Sequence, residues 1–399
     1  MFAASQDQRA QDLATYQAGA DFSGYLPSNF QTSRSADLAG ITARYRAITG
    51  VTSVSAGYAG QADIQVNPGS PDAFFRPVQL RAVDPQTYVQ AATWTPQDST
   101  QSLDTLLAQL IALRPQALQQ GIVPVILSAS AWNILNLHPG AIFHIFTTNG
   151  IRDPLSYLAV ASIAHMPPAN EEIESGMLLD FQALQAAYQR HHEALPDNYI
   201  WLRTSADPSA LVQARHALSN APLSLAHLLD RQALLQMNAT NPLVLNVLAI
   251  LGMGVSTSLL LALLANLLLP ILSMRARLTN FAFLRALGAA PVQILRLLVW
   301  EQGLVLGTAL LLGTLLGLPL ALITIPSLIV NSVPAASTRQ GGADTAYLVQ
   351  GLIPAQIILP PSLLLALLVV LVLCGLALFL IGSMALRLTP GQQLRLNED

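Results

Sequence analysis

Two regimes of hydrophobic patterning divide the chain. Up to about residue 238, apolar residues alternate with polar ones or recur at three- and four-residue spacing; beyond it they run almost unbroken. In the first regime, near-alternation over Val51–Val66 and Pro77–Val83 predicts two strands, with Pro68, Gly69 and Pro71 turning the chain between them. Ile122–Leu127, Ala141–Thr147, Tyr157–Ala164 and Tyr199–Arg203 predict further strands. Leu103, Leu106, Leu107 and Leu110 recur at helical spacing within residues 84–119, which read as helix and loop. Helices are also expected over Asp37–Ile48, Ser128–Leu135 and Phe181–His192. Asp207 followed by Pro208 reads as an N-cap with proline in the first turn, opening a helix to Leu218. Met166–Glu174 reads as a loop, and Leu223–Ala239 as one helix leading into the second regime. The pattern over residues 1–238 is that of a mixed α/β domain.

Residues 239–399 contain three apolar runs, at about 242–273, 297–325 and 360–386. Each exceeds the roughly 20 residues that cross a bilayer, so three transmembrane helices are expected. The first is long enough to project from the hydrocarbon as a stalk. Between the first two lies Arg275–Gly303, which carries Arg275, Arg277, Arg285 and Arg296 and no acid before Glu301. Phe281, Leu284 and Leu287 fall at helical spacing, with Arg285 pointing away from them. Gly288 and Pro291 end or bend that helix. The stretch thus predicts a short amphipathic helix leading stiffly into a span.

Charge sets the orientation. Residues 1–238 hold 12 Arg against 18 acids, a formal −6, and residues 239–399 hold 7 Arg against 4 acids, a formal +3. Six of those seven Arg fall in the 275–296 loop and the tail, and one, Arg339, in the 331–356 loop. Arginine concentrates on the cytoplasmic side, which places that loop and the C-terminus in the cytoplasm and residues 1–238 outside a multi-pass cell-membrane protein. The acidic balance argues against a nucleic-acid partner. All 19 basic residues are Arg. A Walker A loop needs Lys at the β/γ-phosphates, so any ATP site must be supplied by a partner. The lone cysteine, Cys374, lies in an apolar run and reads as a small buried thiol.

The basic loop admits a plain reading, in which it only sets topology, and a sharper one, in which it docks a cytosolic partner. RARLTNFAFLRALGAAPVQILRLLVWEQGLVLG resembles the corresponding loop of the FtsX-like, MacB/LolC-type ABC transporter permeases. Phe281, Leu284, Arg285, Ala286, Leu287, Gly288, Ala289 and Glu301 carry the match, while Asn280 stands where the family has Glu and removes one charge. The resemblance implies that an ABC-type ATP-binding subunit docks on Arg275, Arg277, Phe281, Leu284, Arg285, Leu287 and Gly288. It also implies a MacB-like extracytoplasmic domain, with a two-part α/β subdomain interrupted by a strand-rich insert. VPVILSASAWNILNLHPGAIFHIF resembles the way into that insert, and NYIWLRTSADPSALVQARHAL the return.

The opening stretch has no signal-peptide pattern. Its Tyr16, Gly19, Ala20 and Asp21 resemble the segment that follows the family's first span. An exported domain without a preceding span is a conflict, and the expectation is that a second permease half, a dimer mate or upstream sequence supplies one. Within the spans, Glu301 reads as a structural partner for an Arg of the loop. Gly303, Gly307, Gly313 and Gly317 form two GxxxG pairs suited to close helix approach. His191, His192 and Glu193, and likewise His138 and His144, lack metal-ligand spacing. No G-x-S-x-G elbow occurs, and no catalytic, metal or cofactor site is expected. A permease subunit for efflux, or for lipoprotein, lipid or peptide handling, is the leading expectation. The alternatives are an FtsX-like scaffold regulating cell-wall hydrolases and an ion-coupled carrier, the latter lacking paired intramembrane acids.

Overall fold

The computed structural model describes residues 2–27, 38–66, 74–147, 154–167, 175–195, 198–240, 242–276, 287–288, 290–328 and 356–361, and scattered positions from 364 to 375. They fall into two compact units, one built on residues 9–241 and the other on residues 2–8 with 242–328 and the positions from 356 onward.

The first unit is built on one nine-stranded sheet. Its elements in chain order are α1 (Phe2–Ala18) from Arg9 onward, β1 (Phe22–Tyr25), α2 (Leu38–Arg46), β2 (Val51–Val66), β3 (Phe74–Val83), α3 (Pro85–Ala91), α4 (Leu103–Gln120), β4 (Val123–Ser128), α5 (Ala129–Ile134), β5 (Ile142–Thr147), β6 (Leu155–Ile163), β7 (Ser175–Asp180), α6 (Phe181–Arg190), β8 (Tyr199–Thr204), α7 (Pro208–Ser219), β9 (Ala226–Asp230) and α8 (Arg231–Ala239). The 16-residue β2 organises the sheet. Its first half, Val51–Gly57, pairs with β8, and its second half, Gly57–Val66, pairs with β3. Ala62–Ile64 pairs also with β5, so the circuit β2–β3–β7–β4–β6–β5 closes on itself. Beyond β8 the sheet continues through β1 to β9.

Gly57 sits where β2 changes partners, opposite both Val83 and Tyr199. A Cβ there would run into the carbonyl oxygen of Ala82, so the close approach requires glycine. Period-two alternation gives one face of the closed circuit its core: Tyr58, Ala62, Ile64, Val78, Leu80, Val123, Val125, Leu127, Ile145, Tyr157, Met177 and Leu179 pack together with Phe181, Leu184 and Tyr188 of α6. The opposite face, with Ile126, Leu178, Tyr199 and Trp201, packs on Tyr88 of α3 and Leu103, Leu106, Leu107 and Leu110 of α4. Ile200 and Leu202 of β8 face the other way, toward α2 and α7. Burial on both faces explains why β8 reads as a continuous apolar run.

Helix starts follow their caps. Asp207 accepts from Ser209 N–H ahead of Pro208, Asp84 accepts from Gln86 N–H ahead of Pro85, and Ser102 accepts from Thr105 N–H. The fully buried Asp180 has two tasks. One carboxylate oxygen caps α6 through Ala183 N–H at 3.0 Å, and the other binds the Arg114 guanidinium at 2.6–2.7 Å. Asp230 likewise caps α8 through Gln232 and Ala233 and accepts from Arg215, whose pKa is raised chiefly by that hydrogen bond.

Four elements differ from the sequence reading, the first being α1, a 17-residue helix where none was expected. Strand β7 falls where no element was expected; all six of its residues are buried, so it shows no alternation. Strand β1, four residues long, was too short to leave a periodic signal. Leu223–Ala239 is not one helix: β9 takes Ala226–Asp230 and α8 begins at Arg231. The leucines there carry a helical pattern locally, but pairing with β1 overrides it, and Asp230 restarts the helix as its N-cap. The turn residues Pro68, Gly69 and Pro71 lie outside the described residues.

The second unit contains two long apolar helices, α9 (Pro242–Ala276) and α10 (Pro291–Leu328). Their spans Val244–Ala265 and Val299–Pro326 have mean hydropathies of 2.3 and 2.1 and leave nearly all side chains exposed, as bilayer-crossing segments do. Each helix extends past the expected run, which began or ended with its hydropathy while the backbone continues to Ala276 and starts at Pro291. The third expected span, 360–386, lies mostly outside the described residues.

Candidate functional site

The candidate site is the connection between α9 and α10. Arg275 falls in the last turn of α9, where the backbone alone is described. Arg277, Phe281, Leu284 and Arg285 lie outside the described residues. After them the chain forms an elbow. Leu287 is 71% exposed, and Gly288 adopts φ +92°, a left-handed conformation that glycine alone takes without strain. Among the described residues a Cβ at Gly288 would meet nothing within 4 Å, so the requirement there is conformational rather than steric. The chain then enters α10 through a reciprocal cap: Ala290 N–H donates to Gln293 Oε1 at 3.0 Å, and Gln293 N–H to the Ala290 carbonyl at 2.9 Å. Pro291 occupies the first helical position. Sequence alone pointed to Gly288 and Pro291 as breakers; the side-chain cap by Gln293 was legible only as a Gln three residues past a helix start.

Glu301 lies ten residues into α10, about 15 Å along the axis. It is half-buried and engaged in an interaction. Arg296 stands five residues before it, off the i,i+3 and i,i+4 spacings that bring side chains together on a helix. Gly303, Gly307, Gly313 and Gly317 fall within an arc of roughly 120° around α10. A Cβ added at any of them meets nothing within 4 Å. At the far end of the same helix, Ile325 and Ala321 pack against Val247 and Leu251 of α9 and against Phe2 of α1. The buried Ser5 hydroxyl oxygen accepts from Ile358 N–H at 3.0 Å. Neither contact carried a sequence signal.

Among the described residues no three His, Cys, Asp or Glu converge on a point that could hold a metal. The buried tyrosines of the first unit are structural. Tyr88 and Tyr157 are pushed well above the ordinary phenol range by burial, Tyr199 is raised by the same cause, and Tyr45 is pushed up to about 12 by it.

Residues 250–390 match the model of the FtsX-like permease C-terminal domain. This part of the chain is an FtsX-like permease domain. Permeases of this kind are membrane-embedded subunits that work with ABC-type ATPases, and the basic elbow, the whole of α10 and α9 from Ile250 onward fall inside the matched residues. No curated protein matches the chain. Among solved structures, the extracellular domain of the noncanonic ABC-type transporter YknZ from Gram-positive bacteria overlaps at 15% identity and a TM-score of 0.28, covering 50% of this chain and 92% of that one. The periplasmic region of MacB from Actinobacillus actinomycetemcomitans overlaps at 11% identity and 0.31, covering 56% and 95%. A domain of a permease from Porphyromonas gingivalis overlaps at 12% and 0.26, covering 51% and 85%. The FtsX-like assignment rests on the match over residues 250–390.

Proposed function

We propose that the chain is the membrane subunit of an ABC transporter whose ATP-binding subunit docks on Arg275–Ala290 from the cytoplasm. The observation that carries this reading is the elbow itself. A basic stretch with apolar positions at helical spacing ends in a left-handed Gly288 and is capped directly onto a membrane-spanning helix of an FtsX-like permease domain. Phe281, Leu284 and Leu287 supply an apolar face for the partner, and Arg275, Arg277 and Arg285 supply charge around it. Gly288 sets the angle at which that face meets α10. With no Lys anywhere, the chain leaves nucleotide hydrolysis to the partner.

Residues 9–241 lie outside the cytoplasm in this reading, and ATP-driven closure of the partner moves that domain through the helices joined to it. The cargo class is one handled outside the cytoplasm, as in efflux or the handling of lipoproteins, lipids or peptides. The test is co-purification. Phe281→Asp with Leu284→Asp removes the apolar face while leaving α9 and α10 untouched. The double variant inserts into the membrane normally and loses the ATP-binding subunit. Stoichiometric retention of that subunit would defeat the proposal.

A further inference from the structure

Only part of α4 is packed tightly against the sheet. Leu103, Leu106, Leu107 and Leu110 fill its first half, each at most 6% exposed. Their stripe continues at three- and four-residue steps through Leu113, Ala117 and Gln120, of which Ala117 alone is buried. Pro115 stands at the change. It has no N–H for the Ile111 carbonyl, so the helix loses an internal hydrogen bond there. Beneath this half, Pro124 of β4, Leu158 of β6 and Ile142 of β5 stand opposite one another in a row across three strands. The row is incompletely covered: Leu158 is half-buried and Ile142 is 54% exposed.

Between row and helix lies a cavity of about 240 Å³, walled by Leu113, Ala117, Ile122, Pro124, Ile142 and Leu158. Gly140 adds no side chain to its wall, and among the described residues a Cβ there would meet nothing within 4 Å. Gln116 and Gln120, both exposed, form the mouth, where Gln116 Nε2 donates to Gln120 Oε1 at 3.4 Å.

The lining decides what fits. It contains no ionisable side chain. An apolar cavity of about 150 Å³ stays dry and takes up benzene, so this larger one has room for roughly nine or ten carbons. It lies below the about 300 Å³ at which pockets begin to enclose drug-sized ligands. From Leu113 to Gln120 the helix rises about 10 Å, so the volume is spread along a slot of about 24 Å² in cross-section. That is the girth of one hydrocarbon chain. Aliphatic side chains of a peptide are too short to fill such a slot.

We propose that the slot beneath the C-terminal half of α4 binds the single hydrocarbon chain, roughly eight to ten carbons long, of a single-chain amphiphile. The chain lies along Leu113–Gln120 against the Pro124–Leu158–Ile142 row, and its polar end meets the Gln116 and Gln120 carboxamides. The first unit thereby has a ligand site of its own, separate from the elbow and from the apolar helices. The proposal stands on that unit alone and is independent of the docking reading.

The test uses the full-length chain in nanodiscs. Nonanol carrying a diazirine near its methyl end is photolysed with it, and adducts are mapped by mass spectrometry. They should fall on residues 113–122, 140–142 and 158, saturate with concentration and disappear under excess unlabelled nonanol. Ala117→Phe and Ile142→Trp fill the slot from the helix and from the sheet. Each should cut labelling roughly tenfold or more, since a bound chain would then overpack the site. Ala112→Phe, on the exposed side of α4, should leave labelling unchanged.

Adducts that are dispersed or never saturate would overturn the proposal, as would labelling that survives the filling variants. Labelling of the same residues by a photoreactive diacyl phospholipid would show a site for bilayer lipid and overturn it as well. If Ala117→Phe does not fold, Ile142→Trp, at a position already half exposed, decides the matter.

Discussion

Gly288 offers the sharpest lever on the proposed docking elbow. Its φ of +92° lies in the region that L-residues occupy only under strain. Among the described residues nothing lies within 4 Å of its Cβ position, so the cost of substitution is argued from the backbone. For alanine that cost is roughly 1–2 kcal/mol, less for asparagine, which tolerates the left-handed region, and more for a β-branched residue. Nothing holds the elbow against that strain among the described residues, so the variant chain relaxes at position 288, and the loss appears in affinity for the ATP-binding subunit, a factor of about 5–30 for 1–2 kcal/mol. The assay is titration of purified ATP-binding subunit onto the detergent-solubilised permease, for Gly288→Asn, Gly288→Ala and Gly288→Val. Affinity should fall in that order while the thermal unfolding of the first unit stays constant. Wild-type affinity in Gly288→Val would refute the argument that this conformation presents the docking face.

Four further outcomes are expected. Asp180→Ala should destabilise the first unit by roughly 4 kcal/mol or more, since it removes a helix cap and strands the Arg114 guanidinium, and thermal unfolding followed by Trp201 fluorescence reads it. Gly57→Ala should cost roughly 1–3 kcal/mol in the same measurement, because β2 is pinned on both sides and cannot move from the Ala82 carbonyl. Burial raises the pKa of Tyr45 to about 12 and of Tyr88, Tyr157 and Tyr199 in the same direction, so the fold favours the neutral phenols. Their contribution is fully present below about pH 10 and is lost as pH rises through 12, so Tm should drop over that window and drop less in Tyr45→Phe, whose hydroxyl has no hydrogen-bond partner among the described residues. Finally, single cysteines at Ser70 and Ser337 in a Cys374→Ala background should react with an impermeant thiol reagent in intact cells, and one at Ser273 should not; the reverse pattern would invert the topology.

The legible parts of the fold were those with strong period or strong caps. Val51–Val66 comes near to alternation and forms one strand, and Asp207-Pro208 starts its helix as read. Boundaries of the apolar helices ran long because hydropathy marks where lipid begins, and the backbone hydrogen bonds continue beyond it to Ala276. Failures came where tertiary pairing decides. Strand β9 has leucines at helical spacing and becomes a strand only because β1 lies beside it. The closure of β5 onto β2 leaves no mark in sequence, since that edge of β2 could have stayed free. At the site, Gly288 and Pro291 announced a break, and the structure adds its handedness and the Gln293 cap. Glu301 was legible as an acid in an apolar run, but its placement off the helical spacing from Arg296 needed only the count of residues between them.

The central claim is that the 275–290 stretch receives an ABC-type ATP-binding subunit, and site-specific cross-linking tests it most directly. A photoreactive side chain is placed at Leu284, at Leu287 and, as a mid-membrane control, at Leu261 of the full-length chain in native membranes. The account predicts that Leu284 and Leu287 capture a polypeptide bearing a G-x-x-x-x-G-K-[ST] loop, that Phe281→Asp abolishes the adduct, and that Leu261 captures no such chain. Adducts from Leu284 and Leu287 that contain only lipid or a second copy of the chain, with the ATP-binding subunit present in the same membranes, would contradict it.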